Sequence, residues 1–171
     1  MMSLTVPYIV IVILVLSALV VPSAVATDGP KVQATVSFGQ WQTDPPLDRF
    51  TNPNDRTRNN HQLLPQVVQI KAGGAVNFII SGFHEPVIYG DGTQPGDINT
   101  NLVVPPPPVA LIDDPANRMF RGIDPRPLSQ DRVESVIFRK SGTYLVICGV
   151  QPHFVNDGMF GFVKVTGPDA D

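Results

Sequence analysis

Punctuation limits this chain more than any other feature. Eighteen prolines and 14 glycines fall among its 171 residues, and they cut the apolar runs to strand length almost everywhere. Lys31 to Phe38, Val67 to Lys71, Ala75 to Ser81, Pro86 to Tyr89, Val109 to Ile112, Arg132 to Phe138, Thr143 to Cys148 and Met159 to Thr166 are rich in β-branched and aromatic residues, and each reads as a strand. Gly73-Gly74 and Ser141-Gly142 read as tight turns. With no amphipathic stretch long enough for a major helix, the pattern predicts an all-β, antiparallel-rich sandwich or barrel. Gly39 to Pro65 and Asp91 to Asp131 interrupt it as long irregular segments, and Pro105 to Pro108 reads as a stiff connection into the next strand.

The N-terminus carries an address. An apolar run from Tyr8 to Val21 is followed by Pro22-Ser23-Ala24-Val25-Ala26, the plan of a secretory signal peptide cleaved after Ala26. No Lys or Arg precedes the run, so an uncleaved membrane anchor over Val6 to Ala26 is the alternative, at about the 20 residues a bilayer requires. Residues 27–171 then form one domain, long enough to bury a core. The expected location is the periplasm or another extracytoplasmic face.

A formal charge of −3 and a pI near 5.5 give nucleic acid no basic surface to bind. Cys148 is the lone cysteine, so no internal disulfide can form, and an exported thiol must be buried or ligated. It lies in Gly142-Thr-Tyr-Leu-Val-Ile-Cys148-Gly-Val-Gln-Pro-His153-Phe-Val-Asn-Asp-Gly-Met159, where a thiolate, an imidazole and a thioether follow from one strand-loop-strand unit. His84, between two expected strands, supplies a second imidazole. Two His and one Cys with a weak Met contact is the donor set of blue-copper electron-transfer sites. The plainer alternative is a buried inert thiol beside a loop histidine.

These stretches resemble the cupredoxin family, which includes plastocyanin, azurin and rusticyanin. Val68 to Phe78 is similar to the strand-turn-strand before that family's first histidine ligand. Gly142-x-Tyr144-x-Val146-x-Cys148 is similar to its cysteine strand, and Gly158-Met159-x-Gly161-x-Val163-x-Val165 to its closing strand. The resemblance implies a Greek-key β-sandwich with long insertions and one type 1 copper ion. It gives His84, Cys148 and His153 equatorial roles and Met159 the axial one, with Gln151 an axial candidate if the loop folds back. The five residues between His153 and Met159 make a longer step than the family usually shows. The implied function is one-electron transfer between partners such as a cytochrome or an oxidase, rather than catalysis.

Neighbouring residues acquire expected roles. Phe83, Pro152, Phe154 and Phe160 either shield the sulfur from water or simply pack the core, and Pro152, Phe154 and Val155 suit an apolar patch around the edge of His153. Glu85 either accepts hydrogen bonds from the Cys148 loop or points to solvent. His61, in Asn-Asn-His-Gln, reads as solvated, with a second surface metal contact as the alternative, and Trp41 reads as an anchor for the first insertion. Three histidines are too few for a second copper centre, and one cysteine is too few for a binuclear site. Two other functions stay open: a copper carrier or storage module without redox exchange, and a metal-free β-sandwich used for assembly.

Overall fold

The computed structural model describes residues 30–39, 41–42, 48–49, 61–104, 109–127 and 131–171. The expected signal segment, the proline run at 105–108 and the side chain of Trp41 lie outside the described residues. In chain order the strands are β1 (Lys31–Gly39), β2 (Trp41–Gln42), β3 (Asp48–Arg49), β4 (Leu63–Leu64), β5 (Val67–Ser81), β6 (Pro86–Asp91), β7 (Val103–Val104), β8 (Leu111–Ile112), β9 (Arg118–Arg121), β10 (Arg132–Phe138), β11 (Gly142–Cys148) and β12 (Phe160–Thr166). A 3₁₀ turn at Pro95–Asp97 and one turn of helix, α1 (Gln151–Val155), complete the described elements.

β5 joins the two walls of a sandwich. Its first part pairs in parallel with β12, from Val67 to Lys71, while its second part pairs in parallel with β1 and antiparallel with β10. The change of partners falls at Gly73-Gly74. Gly73 takes a φ of +81°, which an L side chain rarely adopts, and a Cβ on Gly74 would lie 2.7 Å from the carbonyl oxygens of Lys71 and Val32. The two glycines therefore bend one strand from wall to wall, where the sequence suggested a tight turn between two strands. One wall runs β4-β1-β5-β10 and the other β5-β12-β11-β6-β9. The parallel pairs make the sheet mixed rather than antiparallel throughout.

Burial explains how the walls read in the sequence. β10 alternates, with Val133 and Ile137 exposed and Glu134, Val136 and Phe138 buried, as one solvated face requires. β11 does not alternate, because every residue from Tyr144 to Cys148 is buried. Tyr144, Val146 and Cys148 face the core between the walls, and Leu145 and Ile147 face a second cluster with Val87, Tyr89, Ile112 and Phe154. Burying each of these aliphatic side chains contributes about 2 kcal/mol.

The segment read as irregular between Asp91 and Asp131 provides that outer cover. β9 adds to the edge of β6, β7 and β8 form a hairpin, and Leu111 bridges to Val150. The Ile112 amide donates to the Gly149 carbonyl at 2.6 Å, so the insertion is hydrogen-bonded directly to the loop that follows Cys148.

Candidate metal centre

Three chain segments meet at one end of the sandwich. Cys148 closes β11, where its amide donates to the Met159 carbonyl at 3.0 Å. The next amide, from Gly149, donates to the Glu85 carbonyl at 2.6 Å and ties the cysteine loop to the loop that carries His84. That loop is fixed from the other side as well. The Gly82 amide donates to Asp131 at 3.0 Å, and Arg132 Nη2 donates to the His84 carbonyl at 2.9 Å.

His153 sits in α1, which Pro152 helps start because its fixed φ suits a first helical turn. Gly158, at a φ of +63°, turns the chain back. The Met159 amide then donates to the His153 carbonyl at 3.0 Å. The long step between His153 and Met159 is thus taken up as helix, and Met159 returns fully buried beside Cys148.

The side chains converge. Cys148 Sγ lies 3.6 Å from His84 Nδ1 and 3.7 Å from His153 Nδ1, and the two Nδ1 atoms are 3.1 Å apart. The centre of a triangle with these sides is about 2 Å from each corner, close to metal–imidazole and slightly short of metal–thiolate bond lengths. All three donor atoms thus lie within bonding reach of one point. The residues present therefore fit a single soft or borderline cation.

Burial sets their protonation. Desolvation pushes the Cys148 thiol up to about 12, against backbone hydrogen bonds from Glu85 and Val150 that pull it down. Desolvation, then the nearby His153 and His61, hold His84 well below its usual range, and burial followed by His61 brings His153 down to about 3. At neutral pH the imidazoles keep their lone pairs, while the thiol keeps its proton until a cation displaces it. A thiol so buried and protonated is a poor nucleophile.

Several neighbours differ from expectation. Phe154 does not join a surface patch but packs in the outer cluster, leaving half-exposed Val155 and partly exposed Pro152 and His153 at the surface. Gln151 points away, donating from Nε2 to the Thr100 carbonyl at 2.8 Å. Phe38 stands edge-on to His84, with ring centres 6.0 Å apart, and Phe83 packs against the inner core.

Glu85 is fully buried, and although its backbone carbonyl accepts from the Cys148 loop, its carboxylate neither does so nor points to solvent. Its Oε1 accepts from Arg121 Nε at 2.8 Å, and Arg121 also pairs with Asp113 at 3.0 Å. These partners lie in the insertion, where the sequence gives no sign of pairing. His61 is the residue most underestimated from sequence. Its ring stacks on His153 with centres 3.8 Å apart and planes 26° apart, and the ligand nitrogens of His61, His84 and His153 all lie within 4.8 Å of one another. The hint in the sequence is numerical, since two of its three histidines are already wanted at one site.

No family model matches the chain, and no curated protein matches it in sequence. Among solved structures, the reduced auracyanin of the photosynthetic bacterium Roseiflexus castenholzii aligns at a TM-score of 0.54, with 18% identity over 81% of this chain and 100% of that one. Pseudoazurin of Methylobacterium extorquens aligns at 0.42, with 17% identity over 81% of this chain and 78% of that one. Plastocyanin of Dryopteris crassirhizoma aligns at 0.40, with 18% identity over 77% and 99%. The auracyanin alignment carries the fold: this chain has a cupredoxin-like β-sandwich fold.

Proposed function

We propose that residues 27–171 are the mature domain of an exported mononuclear copper protein that passes one electron at a time between redox partners. The observation that carries this reading is the convergence of Cys148 Sγ with Nδ1 of His84 and Nδ1 of His153 at 3.1 to 3.7 Å. Copper bound there would supply a one-electron couple. His84, Cys148 and His153 would hold the ion, with the thioether of Met159 as a further donor.

The chain's own contribution is restraint. His84 is fixed through its carbonyl by Arg132, and Cys148 through Gly149 and Met159 by backbone bonds, so the donors stay in place whichever charge the ion carries. His84, Cys148 and Met159 are fully buried, which keeps water from the sulfur. His153 is the partly exposed donor, and Pro152 and Val155 beside it suit contact with a cytochrome or an oxidase. A role as carrier rather than enzyme is supported by the histidine count. All three histidines gather at this one site, which leaves this chain none to ligate a second catalytic ion.

The test is optical and electrochemical. Purified protein given Cu(II) is expected to develop an intense sulfur-to-copper charge-transfer band that bleaches on reduction and returns on oxidation, with Cys148→Ser abolishing it. Tight binding without reversible cycling would leave a copper carrier or store, and no tight binding would leave an assembly domain. For the exported form, N-terminal sequencing should find Thr27 first, and an intact Met1 would defeat cleavage.

A further inference from the structure

We propose that His61, His84 and His153 form a second ligand set, a three-imidazole site that takes a divalent cation such as Cu(II) or Zn(II) without the Cys148 thiolate. It overlaps the site proposed above through His84 and His153 but does not depend on that site's redox role.

The ligand nitrogens of the three residues lie within 4.8 Å of one another, and they come from three separate segments of chain. His84 is buried, and His153 and His61 are both partly exposed, His61 with 31% of its side chain exposed. His61 also lines a surface pocket of about 220 Å³ with Asp157, Gln66 and Phe160, so it faces solvent on one side and the other two imidazoles on the other.

Asp157 stands beside His61. The Asp157 Oδ2 atom stands 3.8 Å from His61 Nε2, while His61 Nδ1 is turned inward and buried. A carboxylate near the ring nitrogen that does not bind the ion is a common companion of metal-binding histidines. His61 stacks on His153 at 26°, so both rings cannot aim at one ion without a turn of one of them. His61 is the ring to turn, because 31% of its side chain is exposed while His153 Nδ1 already lies 3.7 Å from Cys148 Sγ. Three neutral imidazoles are sufficient for Cu(II) or Zn(II), both of which accept nitrogen donors readily.

The experiment uses the full chain with Cys148→Ser, which removes the thiolate and leaves the imidazoles. Cu(II) titration should still show a site, and pulsed EPR should count three coordinated imidazoles. Adding His61→Phe, which keeps an aromatic ring on the stack, should reduce the count to two and weaken binding by at least the roughly 10- to 100-fold that loss of a mere supporting group costs. Equal affinity and two imidazoles in both proteins would overturn the proposal, as would a Cys148→Ser protein that binds no Cu(II). Adding His61→Ala in place of His61→Phe repeats the comparison if the bulkier ring perturbs folding. The two readings separate cleanly. A charge-transfer band in the wild type with two imidazoles in Cys148→Ser sinks only this inference, and three imidazoles with no such band in the wild type sink only the redox function.

Discussion

Gly39 presses its backbone against the ring of His84: a Cβ built on Gly39 would lie 2.3 Å from His84 Cδ2 and 2.5 Å from the Ser81 carbonyl oxygen. The contact fixes the side of the imidazole away from Cys148, at a position where the chain leaves β1 with a φ of +100°. Sequence alone gives this glycine no role beyond ending a strand.

Gly39→Ala should therefore be costly in two ways. The backbone conformation is strained for any L side chain, at about 1–3 kcal/mol, and the added methyl has no space against the ring or the carbonyl. Denaturant titration of the metal-free protein should show a loss of about 2 kcal/mol or more. Copper-loaded protein should show a shifted charge-transfer band, because the displaced ring carries a donor. A variant with wild-type stability and spectrum would show that His84 is not held from this side.

Glu85 makes the stability of the metal-free protein depend on pH. Burial raises its carboxyl from 4.5 to about 7 despite the downward pull of Arg121, which reaches one oxygen while Oε2 has no hydrogen-bond partner. Between those values the folded protein holds a proton that the unfolded chain has lost. This group's contribution is therefore complete below about pH 4.5 and disappears as pH rises to about 7. His84 and His153 act in the opposite sense, since their depressed values favour the folded state as pH rises toward 6.5. The difference between wild type and Glu85→Gln isolates the carboxyl. Glu85→Gln should gain relative stability with rising pH by an amount on the order of 2 kcal/mol, read from paired denaturant titrations at pH 5 and 8. A difference that stays constant with pH would mean Glu85 is ionised throughout.

Legibility in the sequence followed the origin of each constraint. β10 was read with its observed ends, because one solvated face imposes alternation on Arg132 to Phe138. That Cys148, His84 and His153 come together was readable because few residue types offer a soft or nitrogen donor and this chain contains few of them. What could not be read depends on distant partners. Arg118–Arg121 is a strand because β6 offers an unpaired edge, not because Arg-Met-Phe-Arg favours one. The same is true of Glu85, whose ion partners lie in the insertion, and of His61, whose polar neighbours conceal the ring it packs against.

Phe154 and Val155 are adjacent and differ in environment, which gives a paired test of how α1 is seated. Phe154 is buried under the outer cluster, and Val155 is 54% exposed. Phe154→Ala should cost about 3–5 kcal/mol by emptying a packed site. Val155→Ala should stay within about 0.5 kcal/mol. Thermal melting of the two variants decides it, and comparable losses would mean that α1 presents a different face to the sandwich. Val155→Ala serves a second purpose, because a slower reaction with a protein redox partner at unchanged stability would place that partner on the His153 surface.

Met159 has two separable jobs. Its side chain is fully buried in the inner core, and its backbone closes the ligand loop through bonds to Cys148 and His153. Met159→Leu keeps the volume and all the backbone bonds, so stability should fall by less than about 1.5 kcal/mol. The variant lacks the thioether, however. If that sulfur is the axial contact, its loss removes a donor that Cu(II) uses more than Cu(I) does, and the reduction potential should rise while the charge-transfer band persists. Voltammetry of wild type and Met159→Leu measures the shift directly. An unchanged potential would confine Met159 to packing and leave the two imidazoles and the thiolate as the whole coordination sphere of the copper reading.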